Sequence, residues 1–232
     1  PMPSKGVDTS AVEGAMGSPY LKATPAVDAQ VALPEVGVPV LWWRSVGATH
    51  TAFVMEHTID QLARRTGKDP VEYRRTLYTR AGAKRHLAVM DLAIAKAGPA
   101  PAGVSRGIAV HASFGSIAAQ VAEVSVDRGR VRVHRIVCAV DCGLAVNPDR
   151  IRAQLEGSVI MGLTQALHGE ILFDGGRVRQ SNFHDYPLLR ISESPREIRT
   201  HLVGATDNHP PGGVGEPGMP AVAPALLNAI HA

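Results

Sequence analysis

Two alternating runs, Gln120-Val-Ala-Glu-Val-Ser-Val126 and Arg130-Val-Arg-Val-His-Arg-Ile-Val-Cys-Ala-Val140, decide the fold of this chain, and Asp127-Arg-Gly129 joins them. β-Branched residues that alternate with other side chains favour strands, and a short connection containing glycine favours a hairpin. The two runs therefore predict an antiparallel hairpin. A shorter apolar run at Gly107–His111 predicts another strand.

Helical patterns surround this hairpin. Capping residues, glycine and proline stops and apolar spacing predict helices at about 51–65, 70–77, 84–97, 148–167 and 221–230. The first of these places Met55, Ile59, Leu62 and Ala63 on one apolar face, and Asn147 caps the fourth. Further hairpin and strand patterns occur at 170–179 and 198–203, whereas 1–40 are expected to form loops and short strands.

The order of these elements predicts the fold class. Helices cluster early and strands with intervening helices follow, so the chain is expected to be α+β, with mixed or antiparallel sheets and packed helices. Residues 1–100 are expected to form a Pro/Ala-rich lead-in plus a helical segment, and residues 101–232 an α+β domain. The start at Pro1-Met-Pro and the end within a helical pattern at Ala232 predict that the chain is a fragment or one piece of a split subunit.

Composition restricts the classes of partner. The net charge is +3 and the arginines are scattered, so nucleic acid is not an expected partner. No apolar run approaches the roughly 20 residues that span a bilayer, and no signal peptide is evident, so a soluble protein is expected. The sequence does not assign its compartment, cytoplasmic or periplasmic. The histidine spacing does not predict a metal site. Cys138 and Cys142 would lie about 13 Å apart along a strand, too far for a disulfide, and are expected to be buried free thiols.

One carboxylate stands in a stiff frame, Pro210-Pro-Gly-Gly-Val-Gly-Glu216-Pro-Gly-Met-Pro220. Glu216 is the only ionisable residue of these eleven. Glycines permit close backbone approach, and prolines fix φ. A helix starting at about Ala221 would place Glu216 just before its N-terminus, where the helix dipole favours the ionised form. Glu216 is therefore a candidate general base, and a capping acid on a tight loop is the alternative.

Four segments together resemble a known family. They are Trp43-Arg-Ser-Val-Gly47, Val140-Asp-Cys-Gly-Leu-Ala-Val-Asn-Pro148, Gln154-Leu-Glu-Gly157 and Gly213-Val-Gly-Glu-Pro217. In this order and spacing they resemble the molybdenum-binding large subunit of the xanthine dehydrogenase/aldehyde oxidase superfamily, particularly the isoquinoline 1-oxidoreductase β-subunit group. The resemblance extends over the chain from Ala11 and corresponds to the C-terminal part of that subunit, which makes 101–232 an incomplete molybdopterin-binding domain.

The resemblance implies a molybdenum-dependent oxidoreductase that oxidises an aldehyde or an N-heterocycle with oxygen from water. Glu216 matches the catalytic base of the family. Arg44 and Gln154 match residues beside the molybdenum–molybdopterin cofactor, and Gly157 and Gly215 lie in the matched segments as further cofactor contacts. The local sequence alone equally permits a surface cation at Arg44, a solvated side chain at Gln154 and a packing role for Gly157.

The resemblance also implies partners. The upstream cofactor-binding loops of the family and its iron–sulfur cysteines are missing from this sequence. The remaining large-subunit segment and an iron–sulfur small subunit with [2Fe-2S] clusters are therefore expected partners, together with a small-molecule substrate. The alternative is a truncated structural or assembly module that binds no cofactor. An unrelated hydrolase that uses Glu216 is disfavoured, because no nucleophile elbow or second catalytic acid is present.

Overall fold

A computed structural model describes residues 8–32, 34, 37–38, 41–204 and 209–232. The strands are β1 (Ser105–Ser113), β2 (Ser116–Asp127), β3 (Arg130–Asp141), β4 (Phe173–Asp174), β5 (Arg177–Val178) and β6 (Glu197–Leu202). The helices are α1 (Pro19–Ala23), α2 (Ala48–Arg65), α3 (Pro70–Arg80), α4 (Lys84–Ala97), α5 (Pro148–His168) and α6 (Val222–Ile230). A 3₁₀ turn covers Thr9–Val12.

The central sheet has the strand order β1-β2-β3-β6. β2 is antiparallel to both β1 and β3, whereas β6 pairs with β3 in parallel, so the sheet is mixed. Asp127 pairs with Arg130 across the hairpin turn, as the alternating runs predict. The α+β fold class and the main hairpin are confirmed.

Helices cover both faces of this sheet. On one face, Tyr78 of α3 and Met90 of α4 pack against residues such as Val110 and Val137. On the other face, α5 and α6 pack against alternate positions of the same strands, including Ala109, Ile136 and Cys138. Neighbouring strand residues point to opposite faces, so the hairpin contributes to both cores and is buried on both sides. A division of the chain near residue 100 stays a prediction.

Two predicted elements differ from the structure. The hairpin expected at 170–179 forms only the two-residue strands β4 and β5, whose side chains are exposed and find little to pack against. No strand occurs among the described residues of 1–40, where Ser18 instead caps the short helix α1. Positions 1–7, 33, 35–36 and 39–40 of that prediction lie outside the described residues.

The apolar face predicted for α2 is also partly wrong. Ile59 and Ala63 are buried as predicted, whereas Leu62 is 42% exposed. The charged residues Glu56 and Asp60 are buried as well. The physical reason is Arg74 of α3, which lies between the two carboxylates and pairs with both. Periodicity assigns acids to solvent, so it misses a buried position that an ion pair makes possible.

The predicted helix stop, helix cap and buried thiols are confirmed. Gly98 ends α4 with a φ of 64°, and Asn147 caps α5 through its side-chain oxygen, which accepts a hydrogen bond from the Arg150 amide at 3.0 Å. Cys138 and Cys142 are buried free thiols. None of the helices in the described part of the chain is both long and apolar enough to cross a membrane.

Candidate functional site

The Gly/Pro frame around Glu216 is held against the ends of the central strands. The Gly212 amide donates to the Cys142 carbonyl at 2.8 Å, and the Gly213 amide donates to the Phe114 carbonyl at 2.7 Å. The Ser116 hydroxyl donates to the Gly213 carbonyl at 2.6 Å. These bonds fix the main chain that leads to Glu216.

Two glycines of the frame permit this close approach. A Cβ atom on Gly212 would lie 2.5 Å from the Ser116 hydroxyl oxygen, and one on Gly218 would lie 2.6 Å from Cδ1 of Leu155. Real Cβ atoms essentially never come this close to a neighbour. A Cβ atom on Gly212 would also lie 2.8 Å from the carbonyl carbon of Gly115, so the frame depends on glycine there, whereas at Gly218 the end of the Leu155 side chain would have to move.

Glu216 lies at the end of this frame and is half-buried. Its carboxylate oxygen Oε1 accepts a hydrogen bond from the Ser45 amide at 2.9 Å, and its carbonyl accepts one from the Ser45 hydroxyl at 2.7 Å. Its second carboxylate oxygen, Oε2, makes no hydrogen bond within the described residues. One oxygen of the carboxylate is thus anchored and the other remains available.

The helix dipole has a smaller part in this arrangement than the sequence suggests. α6 begins at Val222, after Ala221 as its N-cap, and Glu216 precedes it by six residues. The dipole effect falls off within about one turn of a helix end. The Glu216 carboxylate is therefore oriented by the Ser45 amide rather than by the start of α6.

Arg44 joins this loop to α5. Its Nε donates to the Gly215 carbonyl at 2.8 Å, and its Nη2 donates to the Gln154 side-chain oxygen at 3.0 Å. Partial burial lowers the pKa of Arg44 from its usual value, and the negative charge of Glu216 acts against that shift. A carboxylate, a guanidinium and an amide consequently lie in one place, although 110 residues separate Arg44 from Gln154.

The glycines of α5 occupy two different surroundings. A Cβ atom on Gly162 would lie 2.7 Å from the Val222 side chain, so Gly162 permits close packing of α5 on α6. A Cβ atom on Gly157 would meet nothing within 4 Å, and the same holds at Gly215. Both of the latter residues are exposed. Packing within the described residues therefore explains why position 162 is glycine, but it does not explain why position 157 is glycine.

Asp141 has a structural role at the end of β3. Its carboxylate lies 2.7 Å from Nε of Arg85 and also accepts a hydrogen bond from the Gly143 amide at 3.0 Å. The hydrogen bond from Arg85 is the main reason that the pKa of Asp141 lies below its usual value. These contacts fix the turn that follows β3.

Sequence reasoning missed Ser45. The residue lies within the Trp43–Gly47 segment, but a serine carries no spacing signal of its own. Its contacts with Glu216 depend on an unusual backbone conformation, a φ of 74°, and on a partner 171 residues away. Neither feature is readable from local sequence.

The family of the chain follows from comparison with known proteins. Residues 54–195 match the family described as the molybdopterin cofactor-binding domain. The chain belongs to this molybdopterin-binding family. The matched range includes Gln154 and Gly157, whereas Arg44, Gly215 and Glu216 lie outside it.

Individual relatives agree with this membership. The chain is 36% identical to the beta subunit of the isoquinoline 1-oxidoreductase of Brevundimonas diminuta over 203 residues, which are 85% of this chain and 26% of that protein. It is 32% identical to a subunit of the nicotinate dehydrogenase of Pseudomonas putida over 208 residues, 82% of this chain and 17% of that protein. The chain thus spans about a quarter or less of these curated relatives.

The fold is shared with a solved structure. The crystal structure of the aldehyde oxidoreductase from Desulfovibrio desulfuricans matches 82% of this chain and 39% of that chain, with a TM-score of 0.61 and 13% sequence identity. At this level of identity the match concerns the fold alone. It agrees with the mixed sheet and the helices that pack on both of its faces.

The residues around Arg44 fit the cofactor that this family binds. Gln154 is exposed, and its side-chain nitrogen makes no hydrogen bond within the described residues, so it is available as a donor. A Cβ atom on Gly157 or on Gly215 would meet no neighbour within 4 Å, so there is open space at both positions. A pterin with a phosphate group offers hydrogen-bonding edges and negative charge, which suit amide and guanidinium groups. No group of three or more His, Cys, Asp or Glu side chains in the described ranges is arranged to hold a metal ion.

Proposed function

We propose that this chain is the base-bearing C-terminal part of a molybdenum hydroxylase that oxidises an aldehyde or an N-heterocycle with oxygen from water. The observation that carries the proposal is that Arg44 joins the exposed Gln154 to the Gly215 carbonyl, next to the half-buried Glu216. Membership of the molybdopterin-binding family supports the cofactor. The names of the two relatives, an isoquinoline oxidoreductase and a nicotinate dehydrogenase, support an N-heterocyclic substrate.

Glu216 acts as the general base in the proposed reaction. Its free oxygen, Oε2, accepts a proton from the water-derived oxygen that attacks the substrate carbon, while Oε1 stays bound to the Ser45 amide. A positioned carboxylate suits this step because proton transfer requires hydrogen-bond contact with the reacting group. The molybdenum–molybdopterin cofactor, when bound, supplies the two-electron oxidation.

Arg44 and Gln154 hold the cofactor rather than transfer protons. The Arg44 guanidinium fixes the position of Gln154 and of the Gly215 carbonyl. Gln154 then presents its amide nitrogen to the cofactor, and Gly157 and Gly215 leave room for it. All four residues orient the cofactor relative to Glu216.

Further chains complete the enzyme in this proposal. The chain spans about a quarter of its isoquinoline-oxidising relative. The remaining large-subunit segment would supply the other cofactor contacts, and an iron–sulfur small subunit with [2Fe-2S] clusters would carry electrons away. The enzyme would be cytoplasmic or periplasmic.

Replacement of Glu216 by Gln in the complete natural assembly tests the proposal. Gln keeps the shape and an acceptor for the Ser45 amide but removes the base, so kcat should fall by about 10²- to 10⁴-fold while bound molybdenum stays unchanged. Glu170→Gln, an exposed change, is the matched control. A Glu216→Gln enzyme with nearly parental kcat would refute the role of Glu216. A complete assembly that binds no molybdenum would favour the non-catalytic assembly module.

A further inference from the structure

Ser45 contacts Glu216 through two different groups. Its amide donates to the carboxylate oxygen Oε1 at 2.9 Å, and its hydroxyl donates to the Glu216 carbonyl at 2.7 Å. Ser45 is 0% exposed, so water does not compete for either bond. One residue therefore fixes both the side chain and the main chain of Glu216.

The backbone of this turn is strained. Ser45 has a φ of 74° and Val46 a φ of 48°. Both angles lie in the left-handed region, which is unfavourable for residues other than glycine. Glycine would adopt this conformation without strain. Strain of this kind persists where the surrounding contacts determine the conformation, and such positions cluster at functional sites.

Bonds within the turn and bonds to the Glu216 loop hold the turn, and Arg44 also bonds to Gln154 on α5. The Val46 amide donates to the Trp43 carbonyl at 2.8 Å, and the Thr49 hydroxyl donates to the Arg44 carbonyl at 2.9 Å. The Ser45 hydroxyl has the Glu216 carbonyl as its partner. A glycine at position 45 would relieve the strain but would lose this last bond. The presence of serine at this strained position therefore indicates that the bond from its hydroxyl to the Glu216 carbonyl contributes to function.

We propose that Ser45 is the positioning residue of the Glu216 base. Its amide fixes Oε1 and its hydroxyl fixes the main chain, so that Oε2 is the oxygen presented to the reacting proton. This inference rests on the proposed role of Glu216. Ser45 does not touch substrate or cofactor. It acts by holding Glu216 in the geometry that proton transfer needs.

Two replacements of Ser45 in the complete assembly test the hydroxyl contact. Ser45→Ala and Ser45→Gly both remove the hydroxyl, and only glycine relieves the strained φ. We expect both to lower kcat by about 10- to 100-fold, because small misplacements of reacting groups have effects of this size, with KM within about twofold. Bound molybdenum should be unchanged. Ser194→Ala, which removes a hydroxyl bound to the Arg190 carbonyl, is the matched control.

Hydrogen exchange at the Ser45 amide tests its contact with Oε1 of Glu216 and does not depend on turnover. In Glu216→Ala the Ser45 amide loses its acceptor and should exchange about tenfold faster than in the parent. Glu216→Gln keeps an acceptor, so the exchange rate of this amide should stay close to the parental rate. Mass spectrometry with fragmentation to single amides makes the measurement. It remains decisive even if the Ser45 variants fold poorly.

The outcomes separate this inference from the proposed function. Parental kcat in Ser45→Gly, or an unchanged Ser45 amide in Glu216→Ala, overturns the positioning role even when Glu216→Gln is inactive. A fully active Glu216→Gln enzyme overturns the proposed base, and with it the proposal that Ser45 positions that base. A lower kcat in both Ser45 variants, together with faster exchange of the Ser45 amide in Glu216→Ala, supports the positioning role.

Discussion

The guanidinium of Arg44 lies 3.0 Å from the side-chain oxygen of Gln154, 110 residues further along the chain. The same guanidinium donates to the Gly215 carbonyl at 2.8 Å. One side chain thus connects the turn before α2, the exposed side of α5 and the loop that carries Glu216. A planar group with several donors in a fixed fork can bind two separated oxygens, whereas an ammonium group acts as a compact point charge.

Replacement of Arg44 by Lys should therefore weaken the site although it keeps the charge. Lysine cannot bind the Gly215 carbonyl and Gln154 together in this geometry. We expect cofactor affinity in the complete assembly to fall by about 10- to 100-fold, the effect of losing a hydrogen bond to a charged group. Molybdenum per assembly measures this. Arg65→Lys, at the exposed end of α2, is the control, and an equal loss in both variants would contradict the prediction.

The two glycines of α5 should respond oppositely to alanine. Gly162→Ala places a methyl group 2.7 Å from Val222 and should lower the free energy of unfolding by about 1–3 kcal/mol. Gly157→Ala meets no neighbour and should raise it by up to about 1 kcal/mol, because alanine favours the helix. Chemical denaturation measures both.

The same Gly157→Ala variant tests the proposed cofactor contact. If Gly157 lies against the cofactor, the added methyl group should reduce bound molybdenum in the complete assembly even though the protein is more stable. Unchanged molybdenum would remove Gly157 from the site. A loss of stability in Gly157→Ala would contradict the open surroundings of this residue.

The sequence predicts local elements well because local signals determine them. The hairpin from Gln120 to Val140 and the cap at Asn147 follow from alternation, turn residues and capping chemistry, and the structure has both. The contact of Arg44 with Gln154 is different. No periodic pattern relates residues 110 positions apart, so only the family resemblance indicated that they belong to one site.

Buried charges mark the other limit of sequence reasoning. Glu56 and Asp60 are buried because Arg74 provides their partner, and a single helix pattern contains no information about that neighbour. Ser45 was missed for a related reason. Its φ of 74° arises from contacts with a distant loop rather than from its own preference.

His111 should make stability depend on pH. The residue is 6% exposed, and burial is the main cause that lowers the pKa of His111 from 6.5 to about 4, with neighbouring His86 adding to the effect. The unfolded chain therefore binds a proton at His111 below about pH 6.5, whereas the folded chain binds it only below about pH 4. Stability should be complete above this window and should fall by up to about 3 kcal/mol as the pH drops through it.

Replacement of His111 by Gln should reduce this dependence. The free energy of unfolding, measured between pH 4.5 and pH 7.5 (about the range where the two states differ in bound protons), should vary less in His111→Gln than in the parent. The slope is compared rather than the absolute stability, because any change at a buried site has a cost of its own. His184→Gln, at an exposed position, should leave the slope unchanged. Identical slopes for the parent and His111→Gln would contradict the prediction.

Arg74 should be among the most sensitive positions of the fold. It is 0% exposed and pairs with Glu56 at 2.9 Å and with Asp60 at 3.1 Å. Burial raises the pKa of Glu56, and the charge of Arg74 acts against that shift. Arg74→Met leaves a buried carboxylate without its partner and should lower the free energy of unfolding by about 3–5 kcal/mol.

A second change distinguishes the lost ion pair from lost packing. Glu56→Gln removes the carboxylate charge, so the double variant Arg74→Met/Glu56→Gln should recover part of the stability that Arg74→Met alone loses. Arg75→Met is the control, since Arg75 is 37% exposed and its pairs with Glu72 and Asp91 lie at the surface. It should change stability by no more than about 1 kcal/mol. A double variant less stable than Arg74→Met would show that packing of the arginine, rather than its charge, stabilises this core.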